Sequence, residues 1–257
     1  MKSRATCSSV LGGLLALFAA TLTPLTAADA GEITVKFSEG VTRAFPALRN
    51  LDGERIAHGD FVQVERGGRV ESRMTFRFAD GSFYDETAVF SQNDVFTLLS
   101  YRLIQRGPSF PETVEAWVDR ASGRYEVRYR GDDDSAEQRL AGKITLPADV
   151  YNGMLSLVLK NLAPGLGETV QIVAFTPNPR LVTLQLQPVA EDVMEVSEES
   201  HRAVRYIIRP QLGLFASLLV SDVPDVKVWI LGGEAPAFMK AEGPLYFMGP
   251  IWRIEPY

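Results

Sequence analysis

The sequence predicts a mainly β fold. One antiparallel sheet is expected, strongly curved into a barrel or half-barrel, with one principal helix packed on its concave side. Three observations carry this. After residue 30, alternation of apolar and polar residues dominates over any helical period. Tight-turn residues separate the alternating runs. A single clear segment, near 150–160, breaks the alternation with helical spacing.

The chain opens "MKSRATCSSVLGGLLALFAATLTPLTAADA". Lys2 and Arg4 precede an apolar run from Val10 to Leu22, and Ala28 and Ala30 follow with small-residue spacing. This is the pattern of a secretory signal. The run is thirteen residues long, short of the roughly twenty that span a bilayer. Residues 1–30 are therefore expected to be a cleaved signal peptide. The remainder, 31–257, is expected to be a single β-rich domain, exported and soluble in the periplasm, with no integral membrane segment. Cys7 lies before the apolar run, not at its end, so it is no lipid anchor and leaves with the signal. Disulfides and thiolate chemistry are then excluded. Losing Lys2, Arg4 and Asp29 moves the formal net charge from −6 to −7. An acidic chain lacks the basic face that nucleic acid or anionic lipid demands.

The elements follow in order. A strand is expected at 33–37 and another at 61–65. In "RVESRMTFRF", Val70, Ser72, Met74, Phe76 and Phe78 share one face, with Glu71, Arg73, Thr75 and Arg77 on the other. "ADGS" turns the chain at 79–82, and "FYDETAVF" returns. A strand at 96–107 leads to a second hairpin, "VEAWVDRASGRYEVRYR", turning at 121–123. The helix is expected over 149–162, with Pro147 near its start, Asp149 as N-cap and Pro164–Gly165 beyond its end. Val150, Met154, Leu157, Val158 and Leu162 fall at helical spacing. Further strands are expected at 170–175, 181–186, 203–209, 226–231 and 245–255, with a short second helix at 213–221. The acidic runs "GDDDSAE" and "EDVMEVSEES" read as solvated loop or edge.

The chain ends "EGPLYFMGPIWRIEPY". A terminal aromatic residue is a feature of outer-membrane barrels. Counting back in twos from Tyr257, however, meets Glu255 and Arg253, which are costly facing lipid. The other phase contains Pro256 and Pro250, which a central strand avoids. The tail is expected instead to turn Phe247, Trp252 and Ile254 into a soluble core.

Reactive chemistry is sparse. The two histidines are His58, expected in a turn, and His201, beside an acidic run. No G-x-S-x-G or H-E-x-x-H motif occurs, and no glycine loop carries the Lys, Ser or Thr of a phosphate cradle. No catalytic residue, metal ligand or cofactor is expected. Asp85 and Glu86 are adjacent acids, but sequence alone assigns them no separation or raised pKa. What remains is aromatic and apolar bulk. Trp117, Tyr151, Met154, Leu157, Phe247 and Trp252 are the candidates for lining an apolar cavity. Trp229 and Tyr84 are similarly large, and core filling is the plain alternative for all of them.

"TLPADVYNGMLSLVLKNL" and "GEAPAFMKAEGPLYFMGPIWRIE" together resemble exported bacterial β-rich proteins of unknown function, which share an LPxDxYN helix start and an EGPLYxxGPxWRIE ending. The resemblance spans most of 60–255 and implies a periplasmic β-rich domain and no activity. A looser architectural likeness is to the half-barrels of lipoprotein-localisation factors. The leading expectation is a non-enzymatic envelope protein binding a lipid or other apolar small molecule. The alternative is a structural module with a filled core, contacting an envelope protein partner. A hydrolase using paired carboxylates comes third.

Overall fold

The computed structural model describes residues 31–131, 135–163, 165–176, 178–196, 199–211 and 223–256. The expected signal peptide and the expected helix at 213–221 lie outside them. The described residues form a large antiparallel sheet with one short helix. In chain order the strands are β1 (Thr42–Ala44), β2 (Ala47–Arg49), β3 (Arg55–Arg66), β4 (Arg69–Phe78), β5 (Phe83–Gln92), β6 (Phe96–Arg106), β7 (Thr113–Asp119), β8 (Arg124–Arg130) and β9 (Gln138–Lys143). Helix α1 (Leu155–Asn161) follows, then β10 (Glu168–Thr176), β11 (Asn178–Val196), β12 (Glu199–Pro210), β13 (Val226–Leu231), β14 (Ala237–Gly243) and β15 (Trp252–Glu255).

Two meanders make the sheet. The first runs from β2 to β9 and the second from β10 to β15. They join where β15 pairs antiparallel with β2, Ile254 opposite Leu48. Among the described residues the ladder is not closed: β9 and β10 are its two ends. The closed-barrel form of the expected fold is therefore corrected.

The two edges are protected differently. β9 presents charged and exposed residues, Arg139 and Lys143 among them, which discourages further pairing. Segment 149–152 covers β10. The Gln171 amide donates to the Asp149 carbonyl, and the Tyr151 amide donates to the Gln171 carbonyl. The buried Asn152 side chain completes the row, donating to the Val173 carbonyl (2.9 Å) and accepting from the Val173 amide (2.7 Å). Its amide thus takes the place of a neighbouring peptide group.

This pairing explains why the helix is shorter than expected. Residues 149–151 are committed to the edge of β10, so Asp149 caps no helix. Its carboxylate instead accepts from Gln171 Nε2. Gly153 then takes a positive φ of 68°, and α1 starts two residues later without a side-chain cap. Val150 is buried but outside the helix. The expected strand at 33–37 is reduced to one bridge, Thr34 with Val95. The amides of Lys36 and Phe37 bond to Asn161 Oδ1 rather than to a strand. At the tail only Trp252–Glu255 is strand. Pro244 and Pro250 bracket a turn in which Met248 has φ 59°. Of the acidic run read as solvated loop or edge, residues 191–196 and 199–200 are strand at the far end of the β11–β12 hairpin, with Glu191, Val193, Glu195, Glu199 and Ser200 exposed, while 197–198 lie outside the described residues. His58 lies in β3, not in a turn.

The main core gathers both meanders around α1. Phe90, Phe96, Leu98 and Val118 from the first meander share one buried cluster with Val158 of α1, and with Val170, Leu186, Ile208 and Ile230 from the second. A second cluster is aromatic. Phe78, Phe110, Tyr246 and Trp252 meet largely edge to face, with ring centroids 5.3 to 6.2 Å apart, a favoured ring geometry.

A cavity between the helix and the sheet

Inward positions of β3, β4 and β5 face α1 on one side and β13–β15 on the other. Between them lies a cavity of about 780 Å³. Its walls are mainly apolar, with Met74, Phe76, Phe90, Leu157, Val228 and Phe238 among them. The space is left open because many wall positions carry little side chain: Ser72, Ala88, Gly153, Ser156, Ala237 and Ala241. Gly153 is required for a second reason besides its backbone angle. A Cβ there would stand 3.0 Å from Ala88 Cβ and 3.6 Å from the Glu86 carboxyl carbon.

Charged groups interrupt the wall at two places, one near each end of α1. Past the helix start sits Glu86 of β5, close to Gly153. The Tyr101 hydroxyl donates to Glu86 Oε1 at 2.7 Å. Burial pushes the Glu86 carboxyl up from its ordinary value, against the opposing effect of the tyrosine hydroxyls. Burial, reinforced by the Glu86 charge, pushes Tyr101 well above the usual phenol range, and Tyr84 likewise. Glu86 is half-buried, because part of its surface faces the cavity.

Lys160, in the last turn of α1, forms an ion pair with Glu39. Their side chains are 17% and 12% exposed. Glu39 also accepts from Gln63 Nε2 at 2.9 Å. Its backbone exchanges two hydrogen bonds with the Gln92 side-chain amide. The segment 31–40 is thereby strapped along α1. Ile33 N donates to the Tyr151 hydroxyl, and Lys36 N and Phe37 N to Asn161 Oδ1.

No family model matches the chain. No curated protein matches it either. A solved structure that aligns with it is the crystal structure of a β-barrel-like protein of a domain of unknown function, DUF1849, from Brucella abortus. The two share 9% identity over 84% of this chain and 95% of that one, with a TM-score of 0.45.

Of the six residues singled out in the sequence, Met154 and Leu157 line the cavity. The other four lie elsewhere. Tyr151 is buried behind the helix start, its hydroxyl held by Ile33. Trp117 is half-buried in β7, opposite Arg102 and Glu126 and on the other face from the core residues Ala116 and Val118. Trp252 belongs to the aromatic cluster. Phe247 is 52% exposed, so the tail does not turn it into a core. Ile254 does reach the cavity wall.

Asp85 and Glu86 do not converge, because successive strand residues point to opposite faces. Asp85 accepts from Arg73 Nε and Thr75 Oγ1 on the far side of the sheet, away from the cavity. Among the described residues no group of three or more His, Cys, Asp or Glu is placed to hold a metal. Nor is any described helix long and apolar enough to cross a membrane. Glu86 as a cavity acid was open to sequence reasoning: on the face Tyr84, Glu86, Ala88, Phe90 it is the one charge on an inward row. Lys160, Glu39, Asn152 and Asn161 carried no comparable mark, since each acts through a partner distant in the chain.

Proposed function

We propose that the protein is a non-enzymatic carrier of the cell envelope, exported to the periplasm, that holds a lipid-like or other apolar ligand between α1 and the sheet. The observation that carries this is the cavity of about 780 Å³ with mainly apolar walls, within the size range of small-molecule sites. Export rests on the character of residues 1–30. We take the sheet to wrap α1 as an open half-barrel. Supporting this, the rings of Tyr101 (β6) and Phe175 (β10) stack with centroids 6.0 Å apart, although ten strand steps separate β6 from β10 in the ladder. A flat sheet would hold them about 48 Å apart at ~4.8 Å per step.

Native mass spectrometry of protein purified from its own periplasm, followed by lipid extraction, tests the carrier. The expected result is an adduct that extraction removes, and uptake of the uncharged dye N-phenyl-1-naphthylamine by the emptied protein. Protein with no adduct and no dye uptake overturns the reading and favours a module that contacts an envelope partner.

A further inference from the structure

We propose that the ligand is a cationic amphiphile, a protonated amine on an apolar body, with its ammonium seated against Glu86. This rests on the carrier reading and narrows its ligand class. The cavity walls are apolar, and Glu86 projects into them without an ion-pair partner among the described residues. Its hydrogen-bonding partners are neutral phenols: Tyr101, which donates at 2.7 Å, and Tyr84. Among the described lining residues the single base is Lys160, and it is already paired with Glu39. Glu39 in turn is held by Gln63, so the pair is fixed in place at the opposite end of α1.

The charge balance of the walls follows. Lys160 and Glu39 cancel, and an ionised Glu86 leaves the described lining residues with one net negative charge. A carboxylate in an apolar enclosure is costly unless it is paired. A ligand ammonium supplies the missing partner, with a charge-assisted hydrogen bond. A fatty acid would bring a second carboxylate against the first and is disfavoured. A neutral alcohol could donate a hydrogen bond to the Glu86 carboxylate without relieving the charge.

Displacement of N-phenyl-1-naphthylamine at pH 7.5 by four twelve-carbon probes tests the proposal: dodecylamine, dodecanol, dodecanoate and a lauroyl lysophosphatidylethanolamine. Dodecylamine is expected to displace the dye at a concentration about tenfold below dodecanol, with dodecanoate weakest. Glu86→Gln should close the gap between amine and alcohol while still taking up the dye. Lys160→Gln, which frees Glu39, should widen the gap between amine and carboxylate and serves if the Glu86 variant does not fold. Lysophosphatidylethanolamine binding as tightly as the amine supports the proposal with a lipid headgroup as the source of the ammonium. Its rejection beside tight amine binding supports a free alkylamine. Dye uptake with dodecanol as good as the amine, or dodecanoate better, overturns the cation while leaving the carrier intact. No uptake of dye or of any probe overturns both.

Discussion

The aromatic cluster around Trp252 and the cavity beside α1 share a wall, since Phe76 and Tyr84 border both, yet one is filled and the other is not. The difference lies in side-chain length rather than polarity. At the Trp252 end, rings from β4, from the turn at Phe110 and from the tail meet and interlock. At the α1 end, several of the facing positions are alanine, serine or glycine. Protein interiors close up wherever atoms are available to fill them. An apolar hollow bordered by small residues, with one acid that has no ion-pair partner among the described residues, is the observation on which the carrier proposal rests.

This contrast can be broken at four points, in order of expected effect. Trp252→Ala should remove the anchor of the filled cluster. A loss of about 3–5 kcal/mol is expected in denaturant unfolding, with dye affinity of the remaining folded protein little changed. Leu157→Ala enlarges a space that already exists, because Leu157 is packed on its core side and faces the cavity on the other. Its cost should sit at the low end of the about 2–5 kcal/mol usual for such a truncation, and dye uptake should weaken. A full-sized loss with unchanged uptake would place Leu157 in a closed core and sink the contrast.

The third change works in the opposite direction. Ala241→Leu adds side chain into the hollow from β14. It should raise stability by about 0.5–2 kcal/mol and block uptake. A clear destabilisation would mean that the space is not there.

The smallest effect is the pH response of Glu86→Gln. Burial raises the Glu86 carboxyl above its ordinary value of 4.5, so the folded state holds that proton more tightly than the unfolded chain does. Its contribution is fully present below about pH 4.5 and is lost as pH rises through the raised folded value. Glu86→Gln does not titrate. Its stability relative to the wild type should therefore be least favourable in acid and improve toward neutral pH. A difference independent of pH between 4 and 8 would show that Glu86 is as well solvated folded as unfolded.

The strands and hairpins were largely legible in the sequence because alternation is local. β4 and β5 are found within two residues of their expected limits, and β13 spans its expected range. Elements decided by distant partners were not legible. The edge of β10 claims the chain at 149–151 and shortens the helix; Asn161 intercepts amides that would have made a strand at 33–37. The short strands β1 and β2 offer three residues each, too few for a period to show. The site was half legible for a related reason. Large residues attract attention as candidates, and Met154 and Leu157 do reach the cavity. The hollow itself is made by small ones, which look unremarkable until the strands that carry them are placed face to face.

The pairing of β15 with β2 bears on how the chain assembles. Arg49 and Glu255 meet in a side-chain hydrogen bond across a sequence separation of 206 residues, at the seam that joins the two meanders. Contacts this remote are slow to form, because loop closure precedes any gain from them. Each meander, by contrast, can zip through successive hairpins. The seam should therefore close last, from two preformed sheets, and the cavity walls, drawn from both sides of it, should come into being only at that step. Until then the inward row of β3–β5 and that of β13–β15 are two exposed apolar surfaces. A ligand present during that interval could serve as the template on which they meet.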